Sequence, residues 1–219
     1  MTTELFEAIA AGDAATVERV TAADPAAAGA ANADGVPAIV WACYVGKPDL
    51  AELLAARRGV LTVAEAAVLG RTDDVRARLD AGAGVDDLTR DGFAALHYAA
   101  FFGHGELAGL LIARGATIDL RAKNEMKVTA LHSAAAAGHR GVALLLIDAG
   151  ADVNAAQRHG WTALHAAAEH GDDVLAAALL AKGADPAARG DDGTTAAELA
   201  AAGGHRQLAE LLSRPVHEA

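Results

Sequence analysis

The chain has 219 residues, of which 53% are hydrophobic but only 4% aromatic; 60 are alanine and 23 glycine. A core of methyl groups is well filled only where backbones come close together, so this composition disfavours an ordinary globular enzyme core and favours tightly stacked helices. The formal charge of −11, from 18 Lys+Arg against 29 Asp+Glu, argues against a nucleic-acid binder, which needs a basic face.

The N-terminus, Met1-Thr2-Thr3-Glu4-Leu5-Phe6-Glu7, has neither a basic segment nor a long apolar one, and so does not read as a secretory signal. The longest strongly apolar runs, such as 142–147, fall far short of the ~20 residues that span a bilayer. A cytoplasmic protein without membrane contact is the expectation. The single cysteine, Cys43, excludes an internal disulfide and a Cys-rich zinc site.

Along the chain the same unit recurs. A first unit, 2–33, lacks the later motif and is joined to the next by the Ala/Gly/Pro-rich stretch from Asp24 to Gly35. The next carries Pro37-Ala38-Ile39-Val40 and Gly46, and the third Thr62-Val63-Ala64-Glu65 and Gly70. The motif then sharpens: Ala94-Ala95-Leu96-His97, Thr129-Ala130-Leu131-His132 and Thr162-Ala163-Leu164-His165, with a degenerate last copy at Thr195-Ala196-Ala197-Glu198. A glycine follows each: Gly12, Gly46, Gly70, Gly103, Gly138, Gly171 and Gly204, in steps of 34, 24, 33, 35, 33 and 33 residues. Each unit reads as a short helix, a tight glycine turn, a second helix and an extended turn. The predicted boundaries are 2–33, 34–59, 60–88, 89–121, 122–156, 157–189 and 190–216.

These motifs resemble those of the ankyrin-repeat family over essentially residues 1–216, most specifically over 89–189. The resemblance implies an all-α solenoid of about seven helix-turn-helix units with short β-turn fingers, and a single domain throughout. Thr at a helix start can cap free N–H groups, and Thr62…Glu65 and Thr195…Glu198 have the capping-box spacing. The small pairs Ala99-Ala100, Ala134-Ala135 and Ala166-Ala167 let inner helices approach closely. The step of 24 leaves no room for a normal finger, so the finger between units two and three is expected to be missing or stunted. The step of 35 puts extra residues around Lys123–Val128, a finger expected to protrude. The first and last units read as caps, with fraying from Pro215 onward.

Candidate chemistry is sparse. His97, His132 and His165 recur at the motif position and His104, His139 and His205 after the repeat glycine, which points to structural roles. A metal or small-molecule site at His159, His165 and His170 is a minor alternative, disfavoured because His165 and His170 lie off the i, i+4 spacing. No nucleophile elbow, phosphate loop or dinucleotide fingerprint is present, so no enzyme and no cofactor are expected. Arg57, Arg58, Arg71, Arg76 and Arg78 form one basic cluster, read as solvated helix charge. Cys43 sits at a small-residue position and reads as a buried thiol.

The resemblance implies that the two residues before the repeat glycine and the residue after the turn glycine form a concave recognition surface. Five of the eight aromatics fall there. Tyr44, Val45, Val68, Leu69, Phe101 and Phe102 are expected side by side. Anchors for a protein partner are expected at Tyr44, Leu69, Phe93, Phe101, Phe102 and Trp161, with polar selectivity from Arg90, Lys127, His159, Glu169 and His170. The other readings are that these rings pack on neighbouring units, or that the patch mediates self-association. A non-enzymatic interaction module, monomeric on its own, is the leading expectation.

Overall fold

The computed structural model describes residues 2–213. Fourteen α-helices follow in seven pairs among the described residues: α1 (Thr2–Ala11) with α2 (Ala14–Ala23), α3 (Ala38–Tyr44) with α4 (Pro48–Arg58), α5 (Val63–Val68) with α6 (Thr72–Asp80), and α7 (Ala95–Phe101) with α8 (Gly105–Ala113). Then come α9 (Ala130–Ala136) with α10 (Arg140–Asp148), α11 (Ala163–Glu169) with α12 (Asp173–Ala181), and α13 (Ala196–Ala202) with α14 (Arg206–Leu212). Short 3₁₀ turns at Pro25–Gly29 and Arg158–Gly160 lie in the connections. No helix among the described residues is long and apolar enough to cross a membrane. The expected fraying from Pro215 onward lies outside the described residues, as does the end of the last unit.

The helices form two layers. First helices stack on first helices from α1 through α13, and in the second layer α2 meets α4, and α6, α8, α10 and α12 follow in turn. Alanine, the strongest helix former, supplies both propensity and closeness: Ala66, Ala67, Ala99, Ala100, Ala134, Ala135, Ala167 and Ala168 are all buried where first helices meet. Between them Leu96, Leu131 and Leu164 are fully enclosed, each contributing about 1.5–3 kcal/mol of burial. One continuous apolar cluster runs from Leu5 to Leu212. Within a pair the reversal needs a left-handed residue. Gly103 takes φ 77°, and its open face lies against the His139 ring, where a Cβ would come within 2.6 Å.

The fingers are continuous except at one place. Ala81–Ala94 separates α6 from α7, whereas only Gly59–Thr62 separates α4 from α5. The finger between units two and three is therefore missing. The longer finger at 123–128 carries exposed Met126 at its tip and holds Lys127 at φ 52°. Neighbouring fingers are tied by one backbone bond each: Lys123 N–H to Gly92 O (2.9 Å), Arg158 N–H to Met126 O (2.9 Å) and Asp191 N–H to His159 O (2.8 Å).

Candidate protein-binding surface

The motif histidines are built into the frame. At each of the three sharp copies Nδ1 accepts from the backbone N–H three residues back: Ala94 to His97 (3.2 Å), Thr129 to His132 (3.2 Å) and Thr162 to His165 (3.1 Å). The imidazole thus does the work of the Glu in a capping box, which Glu65 does at Thr62 and Glu198 at Thr195. The Thr129 and Thr162 hydroxyls also meet the ring nitrogen, at 2.8 and 3.0 Å. The far nitrogen reaches the next finger: His97 Nε2 lies 3.0 Å from Leu120 O, and His165 Nε2 lies 3.3 Å from Thr194 O. In His97 and His165, accepting at Nδ1 and donating from Nε2 fixes a neutral tautomer, whereas His132 Nε2 is buried without a hydrogen-bond partner. Burial accordingly holds all three imidazoles below their ordinary pKa.

The hydrogen bonding gives the metal alternative no support. His165 is fully buried with both nitrogens engaged. His170 Nε2 is spent on Ala136 O at 2.9 Å, and His159 sits at a finger tip facing Asp191. Among the described residues no group of three or more His, Cys, Asp or Glu side chains is placed to share a metal ion.

The C-terminal ends of the first helices in units two and four carry the rings. Tyr44, at the end of α3, lies 5.9 Å from Phe101 edge-on and 5.9 Å from Phe102 in a stack 20° from parallel. Phe101 and Phe102 meet each other at 5.1 Å. Tyr44 is 36% exposed and Phe101 41%, while Phe102 and Leu69 are half-buried. Burial and the nearby Asp91 carboxylate push the Tyr44 hydroxyl well above its ordinary pKa.

Three expectations need correcting. Val68, placed in this patch by register, is 2% exposed and belongs to the core; its carbonyl accepts from His104 Nε2 at 3.0 Å. Phe93 and Trp161 are half-buried against the motif histidines, Phe93 5.7 Å from the His97 ring and Trp161 stacked on His165 at 5.7 Å. Trp161 also lies against Gly190 of the next finger, so both rings carry a packing role. Cys43 is half-buried rather than buried, and burial still raises its thiol to about 11.

The polar candidates divide between two places. Arg90, Lys127 and His159 are exposed on successive fingers, and Glu169 and His170 are exposed at the end of α11. The ring cluster occupies units two and four. Across the missing finger, Gly35 lies against Arg90: a Cβ on Gly35 would fall 2.8 Å from Arg90 Cβ. This repeats the contact of Gly92 with Lys123 one step along, so the finger row closes over its own gap.

The family model for ankyrin repeats (three copies) matches residues 63–157 and 154–217. The chain belongs to the ankyrin-repeat family. A comparison with curated proteins finds no match. The ankyrin match begins at α5, so the first two helix pairs lie outside it. They nonetheless continue the same layers and the same core. Ankyrin repeats are in general protein–protein interaction modules.

Proposed function

We propose that this chain is a non-catalytic protein-binding module, one solenoid domain that holds a protein partner on the concave ends of its first helices and on its finger tips. The observation that carries this reading is the ring cluster in which Tyr44 and Phe101 are exposed over half-buried Phe102. In a chain with only eight aromatics, three are gathered at the surface positions where this family meets its partners. Aromatic anchors on a rigid frame lose little entropy on docking. Leu69 borders the cluster. Arg90, Lys127 and His159 on the fingers, and Glu169 and His170 at the end of α11, supply polar contacts, and Phe93 and Trp161 support the fingers more than they anchor a ligand.

The test is affinity capture from the native cell extract with the unaltered chain and with Phe101→Ala/Phe102→Ala, read by mass spectrometry. A protein retained by the first and lost by the second is the expected result. Undiminished capture by the double variant overturns the anchor assignment. Self-association through the same face predicts a dimer in size-exclusion chromatography at micromolar concentration, dispersed by the same double variant.

A further inference from the structure

The ring cluster has a defined shape. Phe102 lies near-parallel to two rings, Tyr44 at 20° and His104 at 21°, with centroids 5.9 and 6.3 Å away. Phe101 stands across Tyr44 and Phe102, at 89° and 83°. The two rings that solvent reaches are therefore perpendicular to each other: Tyr44, 36% exposed, and Phe101, 41% exposed, with centroids 5.9 Å apart. They make an open aromatic corner. Such a pair offers ring faces as well as edges, and ring faces carry the negative side of the quadrupole that attracts cations.

The charge beside this corner is negative. Asp91, on the finger of unit four, accepts the Tyr98 hydroxyl at 2.9 and 3.0 Å and also the Thr89 hydroxyl. Both donors are neutral and leave the negative charge uncompensated. Among the described residues Asp91 has no ion-pair partner. Its field reaches the corner, since burial and this carboxylate together hold the Tyr44 hydroxyl protonated. The cations nearest along the chain are engaged elsewhere. Lys47 Nζ lies against Gly12, Arg90 packs its Cβ on Gly35 and lines the hollow left by the missing finger, and His104 meets the Val68 carbonyl through Nε2 at 3.0 Å. The whole chain carries a formal −11, a field that draws basic segments and repels acidic ones.

We propose that this corner takes an arginine from a basic segment of the protein partner: the guanidinium lies on the Tyr44 and Phe101 rings, with the Asp91 carboxylate beside them as the compensating charge. A planar, weakly hydrated guanidinium stacks on ring faces better than an ammonium does. The inference rests on the reading that a partner docks at this face, and it names what that partner presents. Partner capture reads whether a protein is held there at all. The titration below reads only the charge of what is held, so the two fail separately.

The experiment titrates the full chain with two peptides, acetyl-Gly-Ser-Leu-Arg-Leu-Ser-Gly-amide and its twin with norleucine in place of arginine, and follows the Tyr44 and Phe101 ring protons by ¹H–¹³C NMR. The expected result is a saturable shift in which the arginine peptide binds about three- to fivefold more tightly than its twin, a preference that shrinks as salt is raised. The salt dependence is read on the unaltered chain and needs no variant. Phe101→Leu keeps the apolar bulk and removes the ring; it is expected to bring the two affinities within about twofold of each other. Norleucine binding as tightly as arginine overturns the proposal and makes the corner a plain apolar anchor. So does an arginine preference that survives unchanged in Phe101→Leu, and so does the absence of a saturable shift. Ring shifts that follow protein concentration without peptide, and that the arginine peptide does not reverse, assign the face to a second copy and overturn it as well.

Discussion

Tyr44 and Phe102 stack with ring centroids 5.9 Å apart, although one ends the first helix of unit two and the other follows the first helix of unit four. Val68, at the same register in unit three, is buried. Stacked rings are worth about 0.5–1.5 kcal/mol beyond their burial. A double-mutant cycle of Tyr44→Ala and Phe102→Ala in urea denaturation is expected to show a coupling of that size. Additive losses would mean that the rings are neighbours without being partners.

The finger contact gives a paired test. Gly35 and Gly46 both hold left-handed backbone, at φ 84° and 69°, but only Gly35 has a neighbour against its open face. Gly46→Ala is expected to cost about 1 kcal/mol, the backbone term alone. Gly35→Ala must also push Arg90 away and is expected to cost more, about 2–3 kcal/mol. Equal losses would show that units two and four do not bear on each other at their tips.

The motif histidines make the fold acid-sensitive. Burial lowers each imidazole pKa below its ordinary 6.5, so between the folded and unfolded values the unfolded chain binds more protons. Stability is then full above about pH 6.5 and falls as pH drops toward the folded values, by at most about 1.4 kcal/mol per pH unit for each ring. Lowered carboxylates at Asp13, Asp192 and Glu198 act only in stronger acid. The melting temperature is expected to be flat from pH 8 to 7 and to fall between 6.5 and 5. A flat profile down to pH 5 would mean that the rings charge without cost.

Cys43 is expected to be sluggish. With its thiol raised from 9.0 to about 11, its thiolate at pH 8 is about a hundredfold scarcer than that of an ordinary thiol. Iodoacetamide labelling should slow in proportion relative to a free cysteine peptide, and labelling at the free rate would show that the side chain is not held in its half-buried position.

Helix pairs, their turns and the missing finger were legible because they are matters of spacing, which the glycine steps record directly. The box histidines were legible as structural from their periodicity, yet their hydrogen bonds were not, since Nε2 reaches a carbonyl 23 residues away at Leu120. The closure of unit two upon unit four was hidden for a related reason. A short step tells how much chain is absent, not which elements move in to cover the loss. Val68 went wrong on this account. Arg58 is exposed, as its pattern says, but Arg78, read in the same way, is half-buried with its Nε enclosed.

The contacts of unit two with unit four alter how this stack comes apart. In an ordinary solenoid each unit answers only to its immediate neighbours, and the stability is a sum of nearest-neighbour terms. Here Gly35 with Arg90 at one end and Tyr44 with Phe102 at the other add a second-neighbour coupling that spans unit three, the one that lacks a finger. Unit three, whose α5 is only six residues long, is thereby clasped from both sides. The segment with the least structure of its own can open only when the pairs flanking it separate, so the truncated repeat is a point of cooperation between the two halves of the solenoid.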